Sequence, residues 1–563
     1  SVTDGEGDAD AYGYDLAGQL ISHTDALGNT EHLSYDVRGN AVAYEEAGGA
    51  TSSFAYDPSG NLVAATDPLG ATTRYEVDAL GLATQVVEAN GAVYQYAYDG
   101  AGRMTRAQSP LGYVRSFTYG AADLPLAETD NLGLSISYEL DALGRITQAT
   151  AAGAAETFAY DRAGNLTSHT DRTGATESFA YDARSRLTVY RDGSGTEEVY
   201  GYDGRGNITS VTAGSSRTSY AYDGASNLTA ITQGSKLAVR YGYDHAGRAV
   251  SAEDGAGNKT TYAYDAVGNL TKETDSTGAV WRYDYDAQGN VVSSTSPANA
   301  QQRWVYDAAG RLAETQDADG AKTVYGRDVL GNVTSVTDAL GRVSTYAYDA
   351  EGNLTQTIDP SGSMESLVYD LKGRLASLTS PSGACARYDY DALDNLLAKS
   401  YSTGAEEDVS YAYDGEGQKV ARSDKTGEAG FTYDGAGRLT SETDGFGQRL
   451  EYAYDDAGRL ASITYPEGEV ATYSYDEVGN LSSVSAPEGT YAYTYDEVNQ
   501  PVALTRPDGS VTHTTYDGEG RVTSVESEDP EGRTLSSFTY SYDPEGRIAS
   551  EASSVTGEDG AAR

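Results

Sequence analysis

The sequence is poor in the residues that build most globular cores. Its 563 residues include one cysteine, two methionines, two tryptophans and seven phenylalanines. The single cysteine, Cys385, excludes an intrachain disulfide and a cysteine-based metal cluster. No window holds the run of about 20 apolar residues that a membrane-spanning helix needs, so no membrane insertion is expected. The chain begins at Ser1 without a basic-then-apolar leader, so we expect no signal peptide and interpret it as a fragment of a longer protein.

Basic residues are also scarce. The chain has 39 Lys and Arg against 85 Asp and Glu, a net charge of −46. Nucleic acid and anionic lipid bind clusters of Lys and Arg, so neither is expected as a partner. Of the 85 Asp and Glu residues, 39 are at repeated positions where an acidic residue is expected to begin a turn. We therefore interpret the charge as that of a solvated, turn-rich surface, with a basic partner or cargo as the alternative.

What the chain has in abundance is Tyr, Gly and an internal repeat. It contains 47 Tyr and 65 Gly, and Tyr-Asp recurs about every 21 residues. There are 26 repeats, 22 with a literal Tyr-Asp, and the first residue of each pair lies at positions 14, 35, 56, 77, 98, 119, 140, 160, 181, 202, 222, 243, 264, 285, 306, 327, 348, 369, 390, 413, 433, 454, 475, 495, 516 and 542. A repeat of this period sets the architecture, and residues repeated so often favour a structural role over a catalytic one.

Residues 258–280 show how one repeat is expected to fold. Tyr262 and Tyr264 are two apart, so in a strand they project from the same face. Asp265-Ala-Val-Gly268 has the Asp and Gly positions of a type I turn that closes a short hairpin. We predict that Leu270–Thr274 returns as the second strand and that Asp275-Ser-Thr-Gly278 turns the chain back again. Such short loops join only antiparallel neighbours. The sequence therefore predicts an all-β, antiparallel hairpin meander of about 52 strands.

A sheet this wide is not expected to stay flat. Each strand pair adds twist and open edges invite aggregation, so we expect the meander to curl into a hollow spiral shell or a closed barrel. Tyr suits a wall wet on both sides, because its ring packs while its hydroxyl tolerates water. We expect residues 1–10 to be an acidic lead-in or preceding repeat, 11–549 one continuous array, and 550–563 a tail or the start of another repeat. Extra residues after Tyr390 and Tyr516 are expected to be absorbed by surface turns.

The consensus of the repeat is Tyr-Ala-Tyr-Asp-x-x-Gly-Asn/Arg-Leu-Thr, as in residues 262–271, 346–355 and 452–460. It resembles the YD or Rhs repeat. Those repeats occur in bacterial Rhs and wall-associated polymorphic toxins, in the C component of insecticidal toxin complexes, and in teneurins. The resemblance covers residues 11–549. It implies a β-strip that spirals into a hollow shell, which encloses a C-terminal toxic domain in toxin members and supports cell-surface adhesion in teneurins. The resemblance also implies that the protein is bacterial and is secreted or exposed at the cell surface. It implies as partner a cargo or toxin polypeptide, or the remaining portion of the parent protein.

Toxin members also carry an Asp-Pro-x-Gly signature in a self-cleaving core after the repeats. Here those letters occur at several positions, among them Asp67, Asp359 and Asp543, which are in phase with ordinary turns, so we assign neither cleavage nor toxicity to them.

No catalytic, cofactor-binding or metal-binding residue is predicted, and no enzyme activity is expected. The candidate residues are each explained by the repeat: the five histidines lie in different repeats, Cys385 has no nearby His, and the acidic segments at 4–10 and 317–320 lack the spacing of a calcium loop. Repeated Asn-x-Thr sequons arise where a turn precedes a strand Thr. The histidines are His23, His32, His169, His245 and His513, and the sequons include Asn165, Asn269 and Asn353.

Trp281 and Trp304 are 23 residues apart, close to one repeat, and are interpreted as wall packing, with a sugar-binding platform as the alternative. The leading functional hypothesis is a non-catalytic shell around a cargo. The alternative is a surface adhesion or carbohydrate-binding scaffold that uses the outer wall.

Overall fold

A computed structural model of the protein describes residues 1–120, 123–402 and 408–555. Within these ranges the chain forms 53 β-strands and no helix. Accordingly, the described residues contain no helix long and apolar enough to cross a membrane.

The strands follow one another at intervals of about ten residues. The first 27 are β1 Val2–Thr3, β2 Ala9–Tyr14, β3 Leu20–Thr24, β4 Thr30–Tyr35, β5 Ala41–Glu45, β6 Thr51–Tyr56, β7 Leu62–Thr66, β8 Thr72–Val77, β9 Ala83–Val87, β10 Val93–Tyr98, β11 Met104–Gln108, β12 Val114–Tyr119, β13 Pro125–Asp130, β14 Ser135–Leu140, β15 Ile146–Ala151, β16 Ala154–Tyr160, β17 Leu166–Thr170, β18 Thr176–Tyr181, β19 Leu187–Arg191, β20 Glu197–Tyr202, β21 Ile208–Ala213, β22 Ser216–Tyr222, β23 Leu228–Gln233, β24 Lys236–Tyr243, β25 Ala249–Asp254, β26 Lys259–Tyr264 and β27 Leu270–Thr274.

The remaining strands are β28 Val280–Tyr285, β29 Val291–Thr295, β30 Gln301–Tyr306, β31 Leu312–Gln316, β32 Lys322–Arg327, β33 Val333–Thr337, β34 Val343–Tyr348, β35 Leu354–Ile358, β36 Met364–Tyr369, β37 Leu375–Thr379, β38 Cys385–Tyr390, β39 Leu396–Tyr401, β40 Val409–Tyr413, β41 Lys419–Asp424, β42 Gly427–Tyr433, β43 Leu439–Thr443, β44 Arg449–Tyr454, β45 Leu460–Thr464, β46 Val470–Tyr475, β47 Leu481–Ala486, β48 Gly489–Tyr495, β49 Pro501–Thr505, β50 Val511–Tyr516, β51 Val522–Glu528, β52 Thr534–Tyr542 and β53 Ile548–Val555.

Pairing between consecutive antiparallel strands confirms the predicted meander. In the repeat of residues 258–280, Thr261 lies opposite Thr274 and Tyr262 lies opposite Glu273. The returning strand has the predicted bounds, Leu270–Thr274. At the ends of the described meander, β1 pairs with β2 and β53 with β52, and these two terminal strands are not paired with each other. The sheet is therefore not closed into a barrel.

The Asp-x-x-Gly segments form the expected turns, with a bulge added. The N–H of Gly268 donates to the Asp265 carbonyl at 3.1 Å, and the N–H of Asp265 donates to the Asn269 carbonyl at 2.9 Å. Gly268 has φ +95°, which a residue with a side chain adopts only at a cost. The pairing register shifts between Ala263 and Tyr264, so the hairpin combines a type I turn with a one-residue bulge. This geometry recurs along the chain and fixes where each Tyr-Asp pair lies.

The insertion after Tyr516 corrects one expectation. The extra residues do not enlarge the turn: Asp529–Gly532 remains a four-residue turn, with the Gly532 N–H donating to the Asp529 carbonyl at 2.9 Å. Instead β51 and β52 lengthen to 7 and 9 residues. Extra cross-strand hydrogen bonds satisfy the added backbone groups, which a longer exposed loop would leave to water. The interval from Tyr390 to Tyr413, which carries two extra residues, includes residues 403–407. Those residues lie outside the described ranges, as does the end of the expected tail, 556–563.

The chain divides into two compact units, each made of segments that are distant in sequence. The first unit comprises Ser1–Thr157, Tyr283–Ser294 and Gln301–Thr426, and the second comprises Phe158–Arg282, Thr295–Ala300 and Gly427–Arg563.

The described part of the sheet lacks a core of large apolar side chains. In the described residues the buried apolar side chains are all alanines, and no large side chain is fully buried. In β26 the residues alternate strictly: Thr260, Tyr262 and Tyr264 are half-buried, while Lys259, Thr261 and Ala263 are exposed. The tyrosine face is therefore covered by its own neighbouring side chains and not by a second layer.

Candidate functional site

In many repeats the Tyr-Asp pair joins its hairpin to the preceding one. The Tyr264 hydroxyl donates to the carbonyl of Ala249 at 2.8 Å, fifteen residues earlier. The Arg248 guanidinium lies 5.2 Å from the centroid of the Tyr264 ring and donates from Nη1 to the Asp265 carbonyl at 3.1 Å. Its Nε also donates to Asp244 Oδ2 at 2.7 Å. The same stacking of Arg on Tyr occurs at Arg103/Tyr119, Arg186/Tyr202, Arg374/Tyr390, Arg438/Tyr454 and Arg459/Tyr475.

The turn aspartates accept hydrogen bonds from their own turns. Asp182 accepts a hydrogen bond from the Arg186 side chain and others from the N–H groups of Arg186 and Arg184, which together lower the pKa of Asp182 to about 2. The Asp265 Oδ1 likewise accepts hydrogen bonds from the backbone N–H groups of Val267 and Asn269. These hydrogen bonds give the repeated Asp a structural role in its own turn.

A second set of contacts joins turns that are about twelve repeats apart. We call this the seam: the second turn of one repeat meets the Tyr-Asp turn of another repeat 240 to 260 residues later. In the second unit, Glu519 Oε1 accepts from the N–H of Ser276 at 2.9 Å and from its hydroxyl at 2.6 Å. Ser235 and Ser296 likewise donate to Glu477 and Glu545.

The seam of the first unit includes a buried ion pair. Lys372 Nζ lies 3.2 Å from Asp130 Oδ2, and the two side chains are 9% and 0% exposed. The Tyr113 hydroxyl donates to the same oxygen at 3.0 Å. Burial opposes ionisation of Asp130, but the N–H groups of Leu134 and Leu132, with Tyr113 and Lys372, hold its pKa below the ordinary value. Nearby in the same seam, the Leu111 N–H donates to Glu351 Oε1 at 2.9 Å.

The seam of the first unit also leaves a cleft that contains Trp304. The cleft has a volume of about 550 Å³ and is lined by the turn of residues 46–50 on one side. Asp286, Gln288, Asn290 and the hairpin segment 304–310 line the other side. Trp304 lies opposite Thr315 in the sheet. The second tryptophan, Trp281, lies in the other unit and pairs with Glu273.

Two of the five histidines each lie in a cluster of aromatic and acidic side chains that the sequence did not predict. The His23 ring stacks on Tyr12 with centroids 4.8 Å apart, and its nitrogens lie 3.2 Å from Asp10 Oδ2 and 3.6 Å from Glu31 Oε2. Hydrogen bonding to Asp10 raises the pKa of His23.

The second cluster has the same pattern. His169 stacks on Phe158 at 4.9 Å and approaches Glu177 at 3.3 Å, while the Tyr190 hydroxyl donates to Glu177 at 2.6 Å. An aromatic residue 11 positions before each His and a Glu 8 positions after it are the signal that could have revealed both. Of the other histidines, His32 lies in β4, His513 in β50, and His245 in the turn after β24.

The remaining candidate residues lie in ordinary structure. Cys385 is half-buried in β38, and its N–H donates to the Ser402 hydroxyl. Asp4 and Asp317 each accept N–H groups within their own turns. The Asp-Pro turns that begin at Asp67 and Asp359 close with Gly N–H bonds of 3.0 and 2.9 Å. Across the described ranges no group of three His, Cys, Asp or Glu converges as metal ligands do.

Comparisons with known proteins agree with this architecture. The Teneurin YD-shell family matches residues 1–133, 126–261 and 253–418, and the RHS Repeat family matches successive segments between 433 and 562. No curated protein matches the chain.

Solved structures share the fold. The structure of TcdB2-TccC3-Cdc42 has a TM-score of 0.62 at 14% identity, over 97% of this chain and 40% of its own. The structure of TcdB2-TccC3 has a TM-score of 0.60 at 14% identity, over 97% of this chain and 39% of its own. The Tc holotoxin pore of Photorhabdus luminescens has a TM-score of 0.50 at 14% identity, over 98% of this chain and 39% of its own. The chain thus spans about two fifths of the length of these chains.

The sequence matches cover well over half of the chain, and the structural matches show the same all-β fold. The chain belongs to the Teneurin YD-shell family.

Proposed function

We propose that the chain forms part of the wall of a hollow shell that encloses a polypeptide cargo within a larger secreted protein. The observation that carries this proposal is the seam. Within each unit, turns about twelve repeats apart are fastened edge to edge, as in Ser276 to Glu519 and Asp130 to Lys372. Edge-to-edge fastening extends a single layer, whereas a solid globule needs layers packed face to face.

The lack of a large buried apolar side chain in the described residues supports the same role. A wall that separates an inner space from the outside has water or cargo on both faces, so its side chains must tolerate both. Tyr and short polar residues meet that requirement. We assign no catalytic step to the repeats, because their conspicuous carboxylates are committed to turns.

Protease protection in the intact parent protein tests the proposal. The segment that follows the repeats should resist added protease while the wall is intact. Combining Lys372→Met with Glu519→Ala removes one seam contact in each unit and should accelerate cleavage of that segment. Lys322→Met, at an exposed ion pair with Glu314, is the matched control and should not. Rapid cleavage of the segment in the unmodified parent would rule out enclosure, and equal cleavage rates in all three proteins would show that the seam does not hold the wall closed. Electron microscopy should show density inside the wall.

A further inference from the structure

We infer that the Trp304 cleft of the first unit binds a neutral oligosaccharide. Trp304 stands two residues before Tyr306, the place that Tyr262, Tyr346 and Tyr452 occupy in their own repeats. Tyr packs the sheet at that place in the other repeats, so Trp is not needed for packing. Compared with Tyr, the Trp304 indole adds aromatic surface and an N–H donor. The cleft of about 550 Å³ is within the range of small-molecule sites, roughly 300–1,000 Å³.

The polar groups of the cleft are available to a ligand. The Gln288 carboxamide and the Glu46 carboxylate make no hydrogen bond to another residue in the described parts of the chain, whereas Asn290 Nδ2 is bound to Asp286 at 3.0 Å. The Trp304 indole N–H also has no partner among the described residues. The Gln288 amide and the Trp304 indole can donate, and the Gln288 carbonyl and the Glu46 carboxylate can accept. These groups beside a flat ring match a pyranose, whose hydroxyls both donate and accept and whose C–H face packs on an aromatic surface.

Gly48 makes room for the Gln288 side chain. A methyl group at Gly48 would lie 1.7 Å from Gln288 Nε2, so the carboxamide lies directly over this glycine. The turn does not otherwise need glycine at that place, since the positive φ of +85° belongs to Gly49. The lack of a side chain at Gly48 therefore allows the Gln288 amide to lie where it does.

Charge selects among sugars. Glu46, Asp286 and Asp307 line the cleft, and no Lys or Arg lines it. An anionic sugar would meet three carboxylates, so a neutral one is favoured. A cleft in the second unit shows the contrast: it is lined by Arg438, whose guanidinium donates to Ser194 at 2.7 Å, so that its polar groups bind each other.

The test uses the fluorescence of one tryptophan. In the full chain carrying Trp281→Phe, Trp304 is the only tryptophan left. Titration with cellohexaose, maltohexaose and chitohexaose should give a saturable change with at least one of them. Hexagalacturonate should give none up to the same concentration.

Two further variants locate the binding. Gly48→Ala moves the Gln288 amide and Gln288→Ala removes it, and each should weaken binding about fivefold or more, the loss of about one hydrogen bond. Gly100→Ala is the matched control, because a methyl group there meets nothing within 4 Å, and it should bind as the parent does. Unchanged melting curves verify that each variant folds. The inference is overturned if no neutral hexasaccharide binds, if hexagalacturonate binds more tightly, or if Gly48→Ala and Gln288→Ala bind as Gly100→Ala does.

Discussion

Replacing Lys372 by Met should open the seam of the first unit locally. The substitution keeps most of the side-chain volume but leaves the Asp130 carboxylate, 0% exposed, without its counter-charge. Removing one partner of a buried ion pair costs about 3–5 kcal/mol. Asp130 keeps its hydrogen bonds from Tyr113, Leu132 and Leu134, so we expect the lower end, about 3 kcal/mol.

Hydrogen exchange is the appropriate measurement, because a long repeat array does not unfold as one two-state unit. Peptides that cover residues 130–134 and 370–374 should exchange about 100-fold faster in Lys372→Met, since each 1.4 kcal/mol is a factor of ten. Lys322→Met breaks an ion pair of which the Lys is 53% exposed, and it should change exchange little.

A second variant separates the charge from the packing. Asp130→Asn combined with Lys372→Met removes both charges and should be more stable than Lys372→Met alone, because no unpaired carboxylate remains. If the double variant exchanges as fast as the single one, or if Lys372→Met behaves as Lys322→Met does, the ion pair does not hold the seam. The pKa of Asp130 is lowered by folding, so its contribution should persist above the ordinary value of 3.8 and be lost as pH falls through its folded pKa.

Three other predictions concern the repeat itself. Tyr264→Phe removes the hydroxyl that donates to the Ala249 carbonyl at 2.8 Å, and it should lower local stability by about 0.5–1.5 kcal/mol. Tyr14→Phe, at a residue that is 60% exposed, is the control and should not lower it. Hydrogen exchange of the two hairpins measures the difference. Gly268→Ala forces a side chain onto φ +95° and should cost about 1–2 kcal/mol, seen as faster exchange in its own turn only; an unchanged rate would contradict the strain. Because the pKa of His23 is raised in the folded protein, His23 should contribute its full stabilisation below pH 6.5, the unfolded value, and lose it as pH rises through the folded pKa. A proton titration by NMR should show that Asp10→Asn returns the pKa of His23 toward 6.5.

Local chemistry made much of the fold predictable. The Asp265 to Gly268 turn and the strand Leu270–Thr274 follow from residues within a few positions of each other, and both are present as predicted. The extended strands β51 and β52 were not predicted. Whether five extra residues lengthen a turn or a pair of strands depends on cross-strand bonding between Val522–Glu528 and Thr534–Tyr542, which no single segment encodes.

The sequence by itself determined the repeat: Asp and Gly shape the turns, alternation sets which side chains share a face, and the period fixes an antiparallel meander. Only the tertiary structure decided which turns meet across the seam. Lys372 and Asp130 are 242 positions apart, as are Ser235 and Glu477. Every repeat offers nearly the same turn chemistry, so the offset of about twelve repeats depends on strand twist summed over many pairs, a quantity that no one repeat contains.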